Sequence, residues 1–190
     1  HHSRHQSDLS SVTAVCFDGF LLAWLVPLLT RGDRTIGRQS FDFTSIANDV
    51  FAHCERHALP LFVAGGAPSE AEQFVSVVRR RFPAIVVAGI CHGYLNDQEV
   101  VARVADSGAR YVVLGLGSVR QDLVAVDVFR RTRSTVLTCG AFISQTVRTT
   151  DGDFYPYLVR RFGGRWLYRV IVEPRVLKRL MLGYVPGVLR

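Results

Sequence analysis

The segment from residue 111 to residue 122 places polar side chains directly after glycines at the end of an apolar run. The run is of β type and ends at Gly115 and Gly117, and Gln121 and Asp122 then open a helix-like segment. In open α/β sheets, ligands bind at the carboxyl ends of strands, where glycines let backbone and ligand approach closely. Gln121 can donate and accept hydrogen bonds in such a pocket, or it can face solvent in a first helical turn. Asp122 can also stabilise a helix dipole without any ligand.

Asp18 is the candidate for a reactive carboxylate, because it follows an apolar run and precedes Gly19. An unpaired buried charge is costly, so a carboxylate in such a place needs a partner or a function. It suits a general base, which must lie within hydrogen-bond reach of the proton that it removes. It equally suits the N-cap of a helix that begins near Phe20. The local sequence leaves both interpretations open.

Four short apolar runs without alternation recur at steps of about 25 residues, which is typical of parallel strands covered on both faces. They are Leu61–Val63, Ile85–Ala88, Tyr111–Leu114 and Thr135–Thr138. Each is followed by a polar or glycine-rich turn, and parallel strands bring such turns to one edge of the sheet. The turns are Gly65 with Gly66 and the following Ala-Pro, 89–96, 115–122 and 140–146. In the second turn, His92 and Gly93 could contact a ligand or only stabilise the loop.

Helix signals lie between these runs. A helix is expected over residues 45–57, and Gly108 suits a helix end. Two capping-box patterns predict helix starts, namely Ser69 with Glu72 and Asn96 with Glu99. The alternation predicts an α/β, Rossmann-like domain over residues 8–150, with a mostly parallel sheet and helices on both faces.

Residues 151–190 differ in character, with arginines interleaved among aromatic and aliphatic residues. Such a basic amphipathic helical appendage suits a membrane surface, and it also suits a C-terminal helix packed on the domain with solvated arginines. The longest apolar run, near residues 20–29, has about ten residues, whereas a membrane span needs about twenty.

The 190 residues carry a net charge of +7, with Lys178 as the only lysine. Arginine suits phosphate and diphosphate groups, but a basic balance alone fits nucleic acid or anionic lipid equally well. The four cysteines are widely spaced without a CxxC pair, which argues against a zinc site and favours buried free thiols.

Several segments, in order, resemble the WecG/TagA/CpsF glycosyltransferases, also called glycosyltransferase family 26. They are Asp18-Gly19, Arg34 with Gly37, and the segments 61–68, 87–94, 113–122 and 165–175, followed by Arg179. Together they cover about 170 residues, and the Trp-Leu-Tyr-Arg…Glu-Pro-Arg ending is the most distinctive. This ending argues against a nucleic-acid-binding domain.

The resemblance implies an enzyme on the cytoplasmic face of the bacterial inner membrane. Such enzymes transfer a sugar from a UDP-sugar to a polyprenyl-diphosphate-linked sugar, with inversion, with no cofactor and without a metal, for polysaccharides such as teichoic acid, capsule or exopolysaccharide. It favours Asp18 as the general base and Gln121 as the residue that holds the sugar. With no metal, the diphosphates need positive charge. Arg169, Arg175 and Arg179 match the family's C-terminal arginines, and Arg34 could serve the same end.

The chain also departs from the family pattern. Residues 118–122 stand where the family usually has Pro-Lys-Gln-Glu, and residues 140–146 lack its usual Arg-Ala-Pro. We expect that the family's N-terminal strand–helix unit is missing and that another subunit, in a homo-oligomer, could cover the surface left bare. A catalytically silent homologue that binds lipid-linked glycan or a partner enzyme is the alternative.

Overall fold

The computed structural model describes residues 40–117 and 119–149. Helices and strands alternate through this part of the chain. In order they are α1 (Ile46–Arg56), β1 (Leu61–Gly65), α2 (Pro68–Arg81), β2 (Val87–Cys91), α3 (Asp97–Ser107), β3 (Tyr111–Gly115), α4 (Arg120–Thr132), β4 (Thr135–Thr138) and α5 (Phe142–Val147).

The four strands form one sheet in the order β2-β1-β3-β4, and all three pairings are parallel. β1 and β3 pair in continuous register from Leu61 with Tyr111 to Gly65 with Gly115. All five residues of β1 are buried. This explains why the run is apolar without alternation, as a central strand covered on both faces must be.

Alternate residues of β1 belong to two hydrophobic cores on opposite faces of the sheet. Leu61 and Val63 pack with residues of α1, α2, α5 and the segment before α1, including five buried phenylalanines whose rings contact one another. Phe62 and Ala64 pack with valines of α3 and α4. The predicted α/β, Rossmann-like arrangement, with a parallel sheet and helices on both faces, is therefore confirmed.

The predicted helix ends around α1 and α3 are also confirmed. Ser45 and His57 flank α1. Asn96 Oδ1 accepts a hydrogen bond from the Glu99 backbone N–H at 2.9 Å, and Glu99 Oε2 accepts one from the Asn96 N–H at 3.2 Å. Gly108 ends α3 in the left-handed conformation, with φ at +66°.

Several local bounds were wrong: the predicted turn over 89–96 begins inside β2, which runs to Cys91, and the predicted turn over 115–122 ends inside α4. β2 begins at Val87 rather than Ile85, because Ile85 is buried in the preceding turn, where its N–H donates to the Phe82 carbonyl. α2 begins at Pro68, and Glu70, not Glu72, accepts the hydrogen bond from the N-cap backbone, namely from the Ala67 N–H at 2.8 Å. The segment 140–146 is not a turn throughout, since α5 starts at Phe142.

Other predictions fall outside the described residues. These are the beginning and end of the proposed 8–150 domain, the 151–190 appendage, and the side chains of Asp18, Arg34, Arg169, Arg175 and Arg179. Within residues 40–117 and 119–149, no helix combines the length and apolarity that a membrane crossing requires.

Candidate active site

The sheet has a topological switch point between β1 and β3. From β1 the chain passes through α2 to β2 on one side, whereas from β3 it passes through α4 to β4 on the other. α2 and α4 pack on opposite faces of the sheet, so a crevice is expected outside the carboxyl ends of β1 and β3. Gly65 and Gly115 are the last residues of these two strands. The apolar run of the segment 111–122 therefore ends at the switch point.

Close packing, rather than open space, surrounds the α-carbons of these glycines. A β-carbon on Gly65 would lie 2.6 Å from the Gly115 carbonyl oxygen and 2.7 Å from Ile143 Cδ1. One on Gly115 would lie 2.9 Å from the same Ile143 atom. Gly66, with φ at +69°, is similarly close to Glu70 and Ile143. Here the glycines allow α5 to sit against the strand ends, and any contact of their backbone with a ligand stays a prediction.

The turn after β2 lies against the turn after β1. The Gly93 N–H donates to the Gly66 carbonyl oxygen at 2.9 Å, and a β-carbon on Gly93 would lie 3.3 Å from Gly65 Cα. His92 Nδ1 accepts from the Tyr94 N–H at 3.2 Å, which fixes the orientation of the imidazole ring. The Tyr94 side chain is 78% exposed. The predicted clustering of these two turns at one edge is therefore observed.

Arg120, the first residue of α4, holds the turn after β2 with hydrogen bonds from all three guanidinium nitrogens. Its Nε donates to Asp97 Oδ1 at 2.7 Å, its Nη1 donates to the Gly93 carbonyl at 2.5 Å, and its Nη2 donates to the Leu95 carbonyl. Arg120 and residues 94–98 also line an open groove of about 540 Å³. A lysine could not make these three bonds, because its ammonium is a point donor on a flexible stem.

Gln121, the next residue, reaches the opposite side of the site. Its Oε1 accepts a hydrogen bond from the Gly140 N–H, in the turn after β4, at 3.2 Å. Its backbone N–H donates to the Gly117 carbonyl at 3.1 Å. The side-chain amide nitrogen makes no hydrogen bond with the described residues and could donate to a ligand. Arg120 and Gln121, at the start of α4, thus connect the three loops that follow β2, β3 and β4.

Glu70 joins α2 to α5 beside Gly66. Its Oε2 accepts from the Ser144 hydroxyl at 2.6 Å as well as from the Ala67 N–H, and Arg148 Nη2 lies 3.9 Å from Oε1. The hydrogen bond from Ser144, followed by that from Ala67, holds the pKa of the Glu70 carboxyl below its usual value of 4.5. The carboxylate is therefore ionised at neutral pH, and it anchors the helix that places Ile143 over the strand ends.

The structure thus brings together five predicted site residues, Gly65, Gly66, Gly93, Gly115 and Gln121, at one sheet edge, with His92 in the adjoining turn. Gly117 has φ at +86°, and no atom of residues 40–115 or 119–149 would lie within 4 Å of a β-carbon added there. Asp122 follows in the first turn of α4.

Sequence reasoning missed Arg120, Glu70 and Ser144. Arg120 stands in the matched segment where the family usually has lysine, which was the available signal. Glu70 and Ser144 are 74 positions apart, and no local pattern connects them.

In the part of the chain that the structure describes, no three His, Cys, Asp or Glu side chains are grouped so that they could hold a metal ion. Cys54, Cys91 and Cys139 are free thiols, the first two buried and the third half-buried. Burial raises the pKa of Cys54 and of Cys91 to about 11. These thiols are accordingly structural in character, as the spacing of the cysteines indicates.

The four parallel strands and the helices on both faces define a Rossmann-like α/β protein, with a candidate ligand site at the carboxyl ends of the strands. All 190 residues match the sequence model of the glycosyl transferase WecG/TagA/CpsF family, and the chain belongs to this family. It is therefore a glycosyltransferase.

A curated relative from Shigella boydii shares 29% identity over 191 residues, covering 98% of this chain and 79% of the relative. That relative is a UDP-Gal:alpha-D-GlcNAc-diphosphoundecaprenol beta-1,4-galactosyltransferase.

Proposed function

We propose that this glycosyltransferase transfers a sugar from a UDP-sugar to a polyprenyl-diphosphate-linked sugar in the biosynthesis of a bacterial cell-surface polysaccharide. The observation that carries the proposal is the match, across 98% of the chain, to a relative whose name specifies this class of donor and acceptor. The switch-point edge supports it, because a nucleotide-linked substrate is the kind of ligand that such edges bind.

Transfer proceeds in one displacement in this proposal. The acceptor hydroxyl attacks the anomeric carbon, its proton passes to the Asp18 carboxylate, and the bond between that carbon and the UDP oxygen breaks. The configuration at the anomeric carbon inverts. Gln121 donates a hydrogen bond from its amide nitrogen to a donor-sugar hydroxyl, while Gly140 holds its Oε1 and thereby fixes the direction of the amide.

Charge on the two diphosphates is balanced by arginines and not by a metal ion. Arg169, Arg175 and Arg179 bind the leaving UDP or the lipid diphosphate, and Arg34 assists. Bidentate guanidinium groups suit these oxygens. Gly65, Gly66 and Gly115 shape the closely packed strand ends in this proposal, and Gly117 offers its backbone to the substrate. His92 and Asp122 complete the polar edge.

The chain is divided accordingly into a catalytic domain over residues 8–150 and a helical appendage over residues 151–190. The appendage rests on the cytoplasmic face of the inner membrane, with its aromatic residues against lipid and its arginines toward diphosphate. A vesicle-binding assay, with and without anionic lipid and compared between the full chain and a chain ending at residue 150, tests this assignment. Equal binding by both would refute it.

UDP release from a panel of UDP-sugars, with a short-chain polyprenyl-diphosphate-GlcNAc acceptor, tests the function. Acceptor-dependent release is expected with one donor, and we expect an at least hundredfold loss in Asp18→Asn, within the range for lost acid–base catalysis. Activity that survives EDTA supports metal independence, and the anomeric coupling of the product reports inversion. No release with any donor by the folded full chain would favour the silent-homologue alternative.

A further inference from the structure

The side chain of Arg120 donates hydrogen bonds to the turn after β2 from all three of its nitrogens. Three of its nitrogens each donate to a different acceptor, namely the Asp97 carboxylate and the backbone carbonyls of Gly93 and Leu95. These acceptors lie 23, 27 and 25 positions away in sequence. The guanidinium therefore joins α4 to the connection between β2 and α3, and it makes no bond within its own helix in these three contacts.

The turn that Arg120 holds lies at the carboxyl ends of the strands, where the candidate site is. It begins at His92, it is hydrogen-bonded to Gly66 through Gly93, and it forms most of the open groove beside α4. The Arg120 side chain is only one-third exposed, whereas Tyr94 projects almost freely. Arg120 makes three hydrogen bonds to this turn, whereas the turn after β1 makes one, from the Gly93 N–H to the Gly66 carbonyl.

We infer that Arg120 is a positioning residue for glycosyl transfer: through these three hydrogen bonds it holds residues 92–97 as one rigid wall of the substrate site. Three of the five guanidinium N–H groups already bond protein oxygens, which leaves two for any other partner. When the wall is already rigid, substrate binding does not have to order it, and less entropy is lost. Loss of this rigidity therefore weakens binding more than it slows the chemical step. This inference rests on the proposed function only for the identity of the substrate.

The test compares the full-length wild-type chain with Arg120→Lys and Asp97→Asn. Arg120→Lys keeps the charge and removes the fork, and Asp97→Asn weakens the Nε bond but leaves the two acceptor carbonyls in place. Arg130→Lys is the matched control, because Arg130 lies near the other end of α4 and pairs at 3.9 Å with Asp127 in an exposed position. Circular dichroism verifies that each variant is folded.

Amide hydrogen exchange of the peptide that covers residues 92–97 is measured first, without substrate. We expect exchange about tenfold faster in Arg120→Lys, a smaller increase in Asp97→Asn and none in Arg130→Lys, because lost charge-assisted hydrogen bonds lower local stability. Unchanged exchange in Arg120→Lys would overturn the inference. This measurement needs no donor, so it decides whether Arg120 holds the turn even if the proposed function fails.

Steady-state kinetics with the active UDP-sugar then separate positioning from a purely structural role. We expect KM for a substrate to rise at least fivefold in Arg120→Lys, with kcat within about twofold of wild type. A lower melting temperature with unchanged KM would show a structural role only. A fall in kcat at constant KM would place Arg120 in the chemical step. Either result would overturn the inference.

Discussion

Gly65 and Gly115 lie side by side at the ends of β1 and β3, so close that a β-carbon on Gly65 would come within 2.6 Å of the Gly115 carbonyl oxygen. The same added carbon would meet Ile143 Cδ1 at 2.7 Å. The two strands at the switch point are thus capped by α5, and the glycines make that contact possible.

Gly65→Ala should therefore destabilise the protein strongly. Its φ of +153° and the two close contacts together predict a loss of about 3 kcal/mol in the free energy of unfolding. Gly108→Ala is the control, because Gly108 has a positive φ but, beyond its two chain neighbours, no atom of the described residues within 4 Å of an added carbon, and about 1 kcal/mol is expected there. Urea denaturation measures the free energy of unfolding of both variants. Equal losses would show that the contacts with Gly115 and Ile143 add nothing to the cost of the substitution.

Glu70 should contribute stability that depends on pH. Because hydrogen bonds from Ser144 and Ala67 lower the pKa of its carboxyl in the folded state, the contribution is present above the ordinary value of 4.5. It is lost as the pH falls through the folded-state pKa. Near neutral pH, Glu70→Gln should cost about 1–2 kcal/mol, and the difference from wild type should shrink below pH 4.5.

Denaturation of Glu70→Gln, Ser144→Ala and Glu72→Gln between pH 3 and pH 7 measures this effect. Glu72 is exposed on the same helix, and its variant should stay within about 0.5 kcal/mol of wild type. A constant difference between Glu70→Gln and wild type across this range would contradict the assigned hydrogen bonds.

Gln121 has two separable roles, one in the fold and one proposed for the sugar. Gln121→Leu removes the acceptor for the Gly140 N–H and should lower the free energy of unfolding by about 1 kcal/mol. Gln121→Glu keeps an acceptor oxygen and should be nearly as stable as wild type, but it lacks the N–H donor. Both should reduce kcat/KM for transfer by about tenfold to a hundredfold. A fully active Gln121→Glu would disprove the donor role.

Cys54 and Cys91 should resist alkylation in the folded protein. Raising a thiol pKa from 9.0 to about 11 lowers its thiolate fraction at pH 7.5 by about a hundredfold, and burial adds steric protection. Iodoacetamide labelling, followed by mass spectrometry of the peptides, measures the rates in buffer and in urea. Equal rates in both solvents would contradict the buried positions of these two thiols.

Local sequence patterns were sufficient for most of the fold. Runs of buried Val, Leu and Ala predicted parallel strands because central strands need apolar side chains on both faces. Asn96, Glu99 and Gly108 predicted helix ends correctly because capping depends on residues within one turn. The same reasoning misplaced the start of β2, since burial of Ile85 in a turn leaves the same apolar signature as burial in a strand.

The sequence by itself thus determined the alternation of strands and helices, the family resemblance and the edge where polar residues gather. Only the tertiary structure decided that Ile143 covers the strand-end glycines, that Glu70 holds Ser144, and that Arg120 fastens residues 93–97. The reason is distance along the chain: each of these contacts joins residues more than twenty positions apart. Such pairs leave no local periodicity, and they meet only when the parallel sheet brings successive turns to the same edge.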